Sequence, residues 1–501
     1  MVRRWTALSV LLLSAALPAA AQSPAKPPAP LSPRGLVTKT REVSPGYLLF
    51  SQSLSDTILL VDNDGRVVHS RRNPHAGGAL YLQPNGHILR GARDPDILHF
   101  KFGGTSGILQ ELDWDGKVVW EWRLGDEKRV LHHDIEPLPN GNVVALVWER
   151  KTREEAIAAG RRPDAVPEQG LMADWLIEIE PVRPGGARVV WEWHAWDHLV
   201  QDHDPDAPGY GDPADRPERL DVNAGIARTV SAEELAQLQA LGYVAPTATP
   251  EDLRADFLHV NAVDYHPGLD QIALSVPALG EVWILDHSTT TAEAAGSRGG
   301  RAGRGGDLLY RWGNPAAYGR GEGSPQRFFF QHDVRWIPEG LERAGNLTVF
   351  NNGRDRPERP FSSVDELRPP LGPGGTYALE DGKPYGPAEL SWVWELPPDR
   401  FSPFISGAER LANGNTLVCA GADGILLEVN AAGEIVWEYR NPYTGDVRLA
   451  DGSFPNAMIG SFPYAVFRAT RIPPDHPGLA GRKLAPLDPQ PPWAPPPTPA
   501  P

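Results

Sequence analysis

One unit recurs six times along this chain, and no other feature restricts its fold as much. The plainest copy is "SGAERLANGNTLVCAGADGILLEVNAAGEIVWEY", from Ser406 to Tyr439. It divides into four short strands, AERL, TLVCA, ILLEVN and EIVWEY, separated by Asn-Gly and Ala-Gly pairs that favour tight turns. The same order appears in "LHHDIEPLPNGNVVALVW" with "WLIEIEP" and "RVVWEW", and in "GGALYLQPNGHILRG" with "ILQELDWDGKVVWEW". Looser copies start at "HVNAVDYHPGLDQIALSV" and "QHDVRWIPEG", and a shorter one is "YLLFSQSLSDTILLVDNDGRVVHSRR". A single four-stranded sheet cannot bury both faces, whereas six around an axis cover one another. The pattern predicts an all-β fold, a six-bladed β-propeller over residues 46–475. Trp120, Trp122, Trp191, Trp193, Trp312, Trp394 and Trp437 are expected to pack between blades.

The segments around this core are of other kinds. Arg3 and Arg4, an apolar run and small residues before position 22 have the form of a secretory leader. Residues 1–21 are therefore read as a signal peptide, and the protein as periplasmic or secreted. Residues 22–45, rich in Pro and Ala, are expected to be a flexible lead-in, and residues 476–501 a disordered proline-rich tail. A long insertion at 194–256 interrupts the repeats. Within it "SAEELAQLQALGY" carries a capping-box start at Ser231 and helical apolar spacing, so a helix is expected there. The single cysteine, Cys419, lies in a buried-strand pattern and reads as core. A formal net charge of −16 argues against nucleic acid or an anionic membrane surface as the main partner. Self-association as a homodimer is left open.

Aligning the units on their first turns brings histidines to one level. His133 falls level with His332, and His259 comes within about two residues of that level. First strands of blades line the central channel, so these three imidazoles should meet at its mouth. Side chains alternate along a strand, so of His132 and His133 one should face the channel and the other should pack between blades. His133 is taken as inward. Ser406 occupies the same level in the last unit. Arg354 and Arg356, in "TVFNNGRDRPERP", follow His332 by about one hairpin and could swing over the mouth, where a guanidinium suits sulfate or phosphate oxygens. His194, His198 and His203 stand among aspartates in "WEWHAWDHLVQDHD", and a solvated acidic loop is favoured there over a metal site. The glycine run "GSRGGRAGRGGDLLY" lacks the ending of a phosphate loop. No cofactor or metal is indicated.

Taken together, "HHDIEPLPNGN", "VWEWHAWDHLVQD", "HVNAVDYHPGLDQIALS", "ILDHSTTT", "GGDLLYRWGNP", "QHDVRWIP", "VFNNGRDR" and "ISGAERLANGNTL" resemble the bacterial aryl-sulfate sulfotransferase family across nearly the whole chain. The resemblance implies a periplasmic propeller that moves a sulfuryl group from an aryl sulfate to a phenol, through a sulfated histidine and without a nucleotide sulfate donor. His259 of "HVN" and His332 of "QHD" match the family's channel histidines, and the arginine after "NNG" is Arg354 or Arg356. Three features depart from that pattern, one being the disulfide that family members can carry and a single cysteine cannot form. The first blade begins almost at once, and the nucleophilic histidine expected in the final blade has no counterpart, since Ser406 stands there. The catalytic set read from the sequence is thus His133, His259, His332, Arg356 and Arg354. His132, Asn261, Asn352 and Ser406 are expected to bind substrate. A metal-dependent propeller hydrolase or lyase and a non-catalytic binding propeller are the alternatives.

Overall fold

The computed structural model describes residues 33–493, apart from 99, 101, 226–230, 241–243, 245–246 and 453–461. The leader assigned to residues 1–21 lies outside the described residues, as do 22–32 of the lead-in and 494–501 of the tail.

Six antiparallel sheets form the blades, each read from the axis outward. Blade II contains Gly77–Leu82, Ile88–Arg93, Gly107–Leu112 and Val118–Arg123. Blade III contains Arg129–Pro137, Val143–Lys151, Leu171–Pro181 and Ala187–His194. Blade IV contains Ala262–His266, Gln271–Val276, Glu281–Asp286 and Tyr310–Trp312, and blade V His332–Trp336, Leu347–Asn351, Ser363–Leu367 and Trp392–Glu395. Blade VI contains Gly407–Arg410, Thr416–Ala420, Ile425–Val429 and Ile435–Arg440. Blade I closes the ring. Its innermost strand, Val466–Ile472, comes from the far end of the chain and pairs with Tyr47–Gln52, followed by Thr57–Asp62 and Val67–Arg72. This explains why the first sequence unit is short.

Two linker expectations need correction. Gly35–Lys39, read as flexible lead-in, is a fifth strand on blade VI, paired with Ile435–Arg440. The tail is also seated as far as residue 493. Leu487 N–H donates to Val67 O at 2.9 Å, and Gln490 Oε1 accepts from Val67 N–H at 2.7 Å. Both segments satisfy backbone groups on outer blade strands that would otherwise be exposed edges. Composition alone hides this, because proline-rich segments can still bind an edge through a few polar groups. The expected helix is present as Ala232–Ala240, and Leu235 packs on an apolar cluster with Trp148 and Val244.

The outermost strands fasten each blade to the next. Trp120 Nε1–H donates to Gly186 O, Trp191 to Thr289 Oγ1, Trp312 to Pro387 O, Trp394 to Gly433 O and Trp437 to Asn63 O, all at 2.8–3.0 Å. In blade I the equivalent residue is His69 of "RVVHSRR", whose Nε2 donates to Trp114 O at 2.9 Å. Each bond reaches the loop between the third and fourth strands of the following blade, so the ring is closed by one repeated device. Burial of the indole body and use of its N–H explain why tryptophan suits the position.

The inner ends are fastened by charge. Asp134 of blade III accepts from Arg468 of blade I (Nη1 to both carboxylate oxygens, 2.9 Å), from Tyr81 OH of blade II (2.9 Å) and from Val263 N–H of blade IV (3.2 Å). Asp333 of blade V lies 2.8 Å from Arg468 Nε and accepts from Arg335 Nε and from Ala408 N–H of blade VI. All six blades therefore meet in one buried network. A Cβ at Gly407 would lie 2.1 Å from Asp333 Oδ2, so only glycine admits this carboxylate. Removing one member of such a network strands the other charges. Arg468→Ala is expected to cost about 3–5 kcal/mol of unfolding free energy, measured by urea denaturation. A loss below about 1 kcal/mol would show that the network does not hold the axis.

Candidate active site

The sequence "HHD" is resolved into three separate tasks by a local break in strand geometry. His133 has φ of 46°, and the pairing of its strand slips between Ala145 and Val147. The same device recurs at His259 (φ 54°), at Asp333 (φ 56°) and at Ile405 (φ 46°). A non-glycine residue held at positive φ costs on the order of 1 kcal/mol or more, and a bulge re-aims the side chains beside it. His132 turns between blades and stacks on Trp148, with ring centroids 4.1 Å apart. His133 faces the axial cavity, and Asp134 enters the axial network below it. "QHD" repeats this, with Gln331 between blades, His332 in the cavity and Asp333 in the network.

The cavity is open at one end and holds about 850 Å³ of empty space when the solvent at its mouth is included. Every blade or its loops contribute to its lining. His133, His259 and His332 all line it, and the rings of His133 and His259 lie 4.6 Å apart. Leu54, Phe404, Ile405 and Phe467 form an apolar wall belonging to one hydrophobic cluster. Gly77, Gly78, Gly91, Gly103 and Gly104 bring backbone close to the space, and a Cβ on Gly104 would lie 2.1 Å from His133 Nε2. Among the described residues that line it there is no aspartate or glutamate, and the one arginine is Arg93.

Hydrogen bonds fix the proton on His332. Asn352 Nδ2 faces two backbone carbonyls, Ser402 O at 2.8 Å and Ile405 O at 3.0 Å, so the amide NH₂ must be on that side. Asn352 Oδ1 then accepts from His332 Nδ1–H at 2.7 Å, and Phe330 O is a second acceptor at 3.1 Å. Nε2 is left as the nitrogen with the lone pair. Burial pushes the His332 ring down to about 4, with His259 and Arg468 adding to the effect against the bonds from Asn352 and Phe330. His133 is likewise held well below the ordinary histidine value by burial and by the neighbouring His259, His132 and His332 rings. His259 donates from Nδ1 to Asp256 Oδ2 at 2.5 Å, a carboxylate supplied by the end of the long insertion. Behind His133, its Nδ1 and that of His132 are 2.9 Å apart, and His132 Nε2 lies 3.2 Å from Asp174 Oδ1.

The other sequence candidates have different work. His132, Asn261, Asn352, Ser406, Arg354 and Arg356 do not line the cavity. Ser406 Oγ bonds Ser402 Oγ, Phe404 O and Gly421 N–H, which knots its own loop. Asn261 donates to Gln331 O and braces two blades, while Asn352 orients His332. Arg356 is folded back on its hairpin, donating to Phe361 O and Ser363 Oγ. The Arg354 guanidinium rests 3.6 Å over the Phe330 ring. In the 194–206 segment His198 is a strut between Asp307 Oδ1 and Ala294 O. Among the described residues no three His, Cys, Asp or Glu side chains are grouped so as to hold a metal ion. Arg93, Asp256 and the phenylalanine wall were missed by the sequence reading. Arg93 closes the second strand of blade II as Asn351 closes that of blade V, and this register was the available signal.

A ring of six blades with three neighbouring imidazoles at its axis defines a six-bladed β-propeller with a histidine-lined axial cavity. The chain matches the family described as Arylsulfotransferase (ASST) over residues 35–448, and it belongs to that family. Membership supports a sulfotransferase activity. No curated protein matches it. Among solved structures the likeness is loose. A Bacteroides caccae protein of unknown function is 10% identical, with 85% of this chain and 98% of that one covered and a TM-score of 0.40. The Myceliophteria thermophila Cps50 (Swd1) β-propeller domain is 12% identical, with 82% and 91% covered and a TM-score of 0.37. Likenesses this loose say nothing about the chemistry of the cavity.

The depressed His332 value carries a sign. Its folded-state value lies below that of the unfolded chain, so its contribution is fully present above about pH 6.5 and is lost as pH falls toward 4. The expected loss from this ring is up to about 3 kcal/mol. Urea titrations at stepped pH should show it, and His332→Gln should flatten the slope between those limits. An unchanged slope would mean that the ring is already charged when folded.

Proposed function

We propose that the chamber transfers the sulfuryl group of an aryl sulfate to a phenolic acceptor through a sulfo-histidine at His332. The observation that carries this reading is three buried imidazoles from three blades in one cavity, with no carboxylate among its described lining residues and a phenylalanine wall beside them, in a chain of the arylsulfotransferase family. In the first half, the lone pair on His332 Nε2 attacks sulfur, an N–S bond forms and the bond from sulfur to the aryl oxygen breaks. The leaving phenoxide takes a proton from the protonated His259. The charge gained by the His332 ring is shared with Nδ1–H, which Asn352 and Phe330 O already accept. In the second half, neutral His259 takes the acceptor's phenolic proton, the phenolate oxygen attacks sulfur and the N–S bond breaks. Both rings return to their starting state. His133 is the alternative nucleophile, and Asp256 offsets the charge on His259 when it holds the proton. The leader-like N-terminus supports export, which would place the reaction in the periplasm or outside the cell.

A chromogenic aryl sulfate assayed with and without added phenol tests the reading. Release of the coloured phenol should rise with acceptor, and a sulfated acceptor should appear in equal amount. His332→Gln is expected to lower turnover by more than about 10³-fold and His259→Gln by about 10²–10⁴-fold. Digestion after mixing with donor alone should give a sulfated peptide containing residue 332. Turnover that persists in His332→Gln, with no sulfated peptide, would remove the covalent route. Phenol-independent release would instead identify water as the acceptor.

A further inference from the structure

We propose that Arg93 is the residue that captures the oxyanion head of the substrate in the axial chamber, in place of the arginines of the "NNGRDR" hairpin. This rests on the sulfuryl-transfer reading and names the group that holds the transferring sulfur. Arg93 comes from the second strand of blade II, and its side chain is nine-tenths buried yet borders the open cavity. Two of its nitrogens are committed to carbonyls, Nη1 to Thr105 O at 3.0 Å and Nη2 to Ile97 O at 2.7 Å. These bonds fix the guanidinium plane without touching its charge. Nε is buried with no hydrogen-bond partner among the described residues.

The surrounding charges make the case. Three other buried guanidinium groups in this chain have carboxylates, whereas Arg90, Arg71 and Arg161 rest on neutral amides or carbonyls away from the axial cavity. Arg468 has Asp134 and Asp333, Arg311 has Glu281, and Arg471 has Glu428. Arg93 forms no ion pair among the described residues: the neighbouring Asp94 acts on it only through space and is itself paired with Arg123, and no carboxylate is among the described residues lining the cavity. A buried cation without a counter-ion is costly, and the missing charge is the one a sulfate ester brings. The position also fits the reaction. Arg93 and the Gly103–Gly104 turn flank one side of the space, and Gly104 is packed on the His133 ring, so an anion held there sits beside the imidazoles. A fixed guanidinium gains strength as charge builds on the sulfuryl oxygens and needs no reorganisation to do so. Arg354 and Arg356 are engaged with Phe330 and with Phe361 and Ser363 outside the lining.

The test uses the full chain with Arg93→Gln and Arg93→Lys, and two probes measured by calorimetry, inorganic sulfate and phenol. The proposal expects wild-type protein to bind sulfate, Arg93→Gln to bind it at least 10-fold more weakly, and Arg93→Lys to recover part of the difference. Phenol binding should stay within two-fold in both variants. With an aryl sulfate donor, the loss should fall on kcat/KM for donor and leave the acceptor KM unchanged. Equal sulfate binding by wild type and Arg93→Gln would overturn the proposal. Equal loss of sulfate and phenol binding in both variants would also overturn it, since that is the result for a residue that only braces the 97–105 turn. If wild type binds sulfate through Arg93 but turns over no aryl sulfate, the anion site stands and the reaction assigned to it falls.

Discussion

The contact on which the rest of this molecule depends is the pair of carboxylates, Asp134 and Asp333, gripped from opposite sides by Arg468. Each aspartate follows a cavity histidine directly in sequence. Fixing the aspartate at the axis therefore fixes where the preceding ring can go. Arg468 belongs to the strand that closes blade I, so closure of the ring and assembly of the chamber floor are one event. Burial alone would draw the Arg468 guanidinium down, but Asp134 and Asp333 more than offset this and raise it. Positive φ at His133, His259, Asp333 and Ile405 is tolerable because neighbouring blades hold each segment from both sides.

Above that floor the protein favours the neutral form of the His133 and His332 rings by withdrawing them from water. The same withdrawal makes an anion's arrival favourable wherever a fixed positive charge is waiting. This resolves an apparent conflict between a chain carrying a net charge of −16 and the anionic substrate proposed for it. No acidic residue is among the described residues of the cavity lining, whereas Asp174 and Asp256 stand behind the rings, where they orient nitrogens. The apolar wall of Leu54, Phe404, Ile405 and Phe467 gives an aromatic ring a surface to rest on.

Much of this was legible because the repeat states it openly. Turn pairs and alternating strands gave the blade count, and the "VWEW" tryptophans gave the inter-blade seam, whose sixth member, His69, only the structure reveals. Aligning "HHD" with "QHD" brought His133 and His332 to one level. What stayed hidden depends on partners remote in sequence. Val466–Ile472 and Gly35–Lys39 find strands hundreds of residues away, and nothing local marks them as belonging to a first or last blade. Ser406 sits at the right level, but its hydroxyl is consumed by its own loop. Arg356 has the right chemistry and is turned aside by Phe361 and Ser363, while Arg93 reads as one more arginine in a strand. Level along a strand can be counted, but the direction of a side chain beside a bulge cannot.

The most direct measurement is a crystal structure with benzenesulfonate, whose carbon–sulfur bond cannot be transferred. The account predicts sulfonate oxygens within hydrogen-bonding distance of Arg93 and the three imidazoles, with sulfur in line with His332 Nε2 and the ring against Phe404 and Phe467. Benzenesulfonate bound elsewhere, for instance in the outer cleft formed by Trp312 and Tyr385, with the axial chamber left to water, would contradict it.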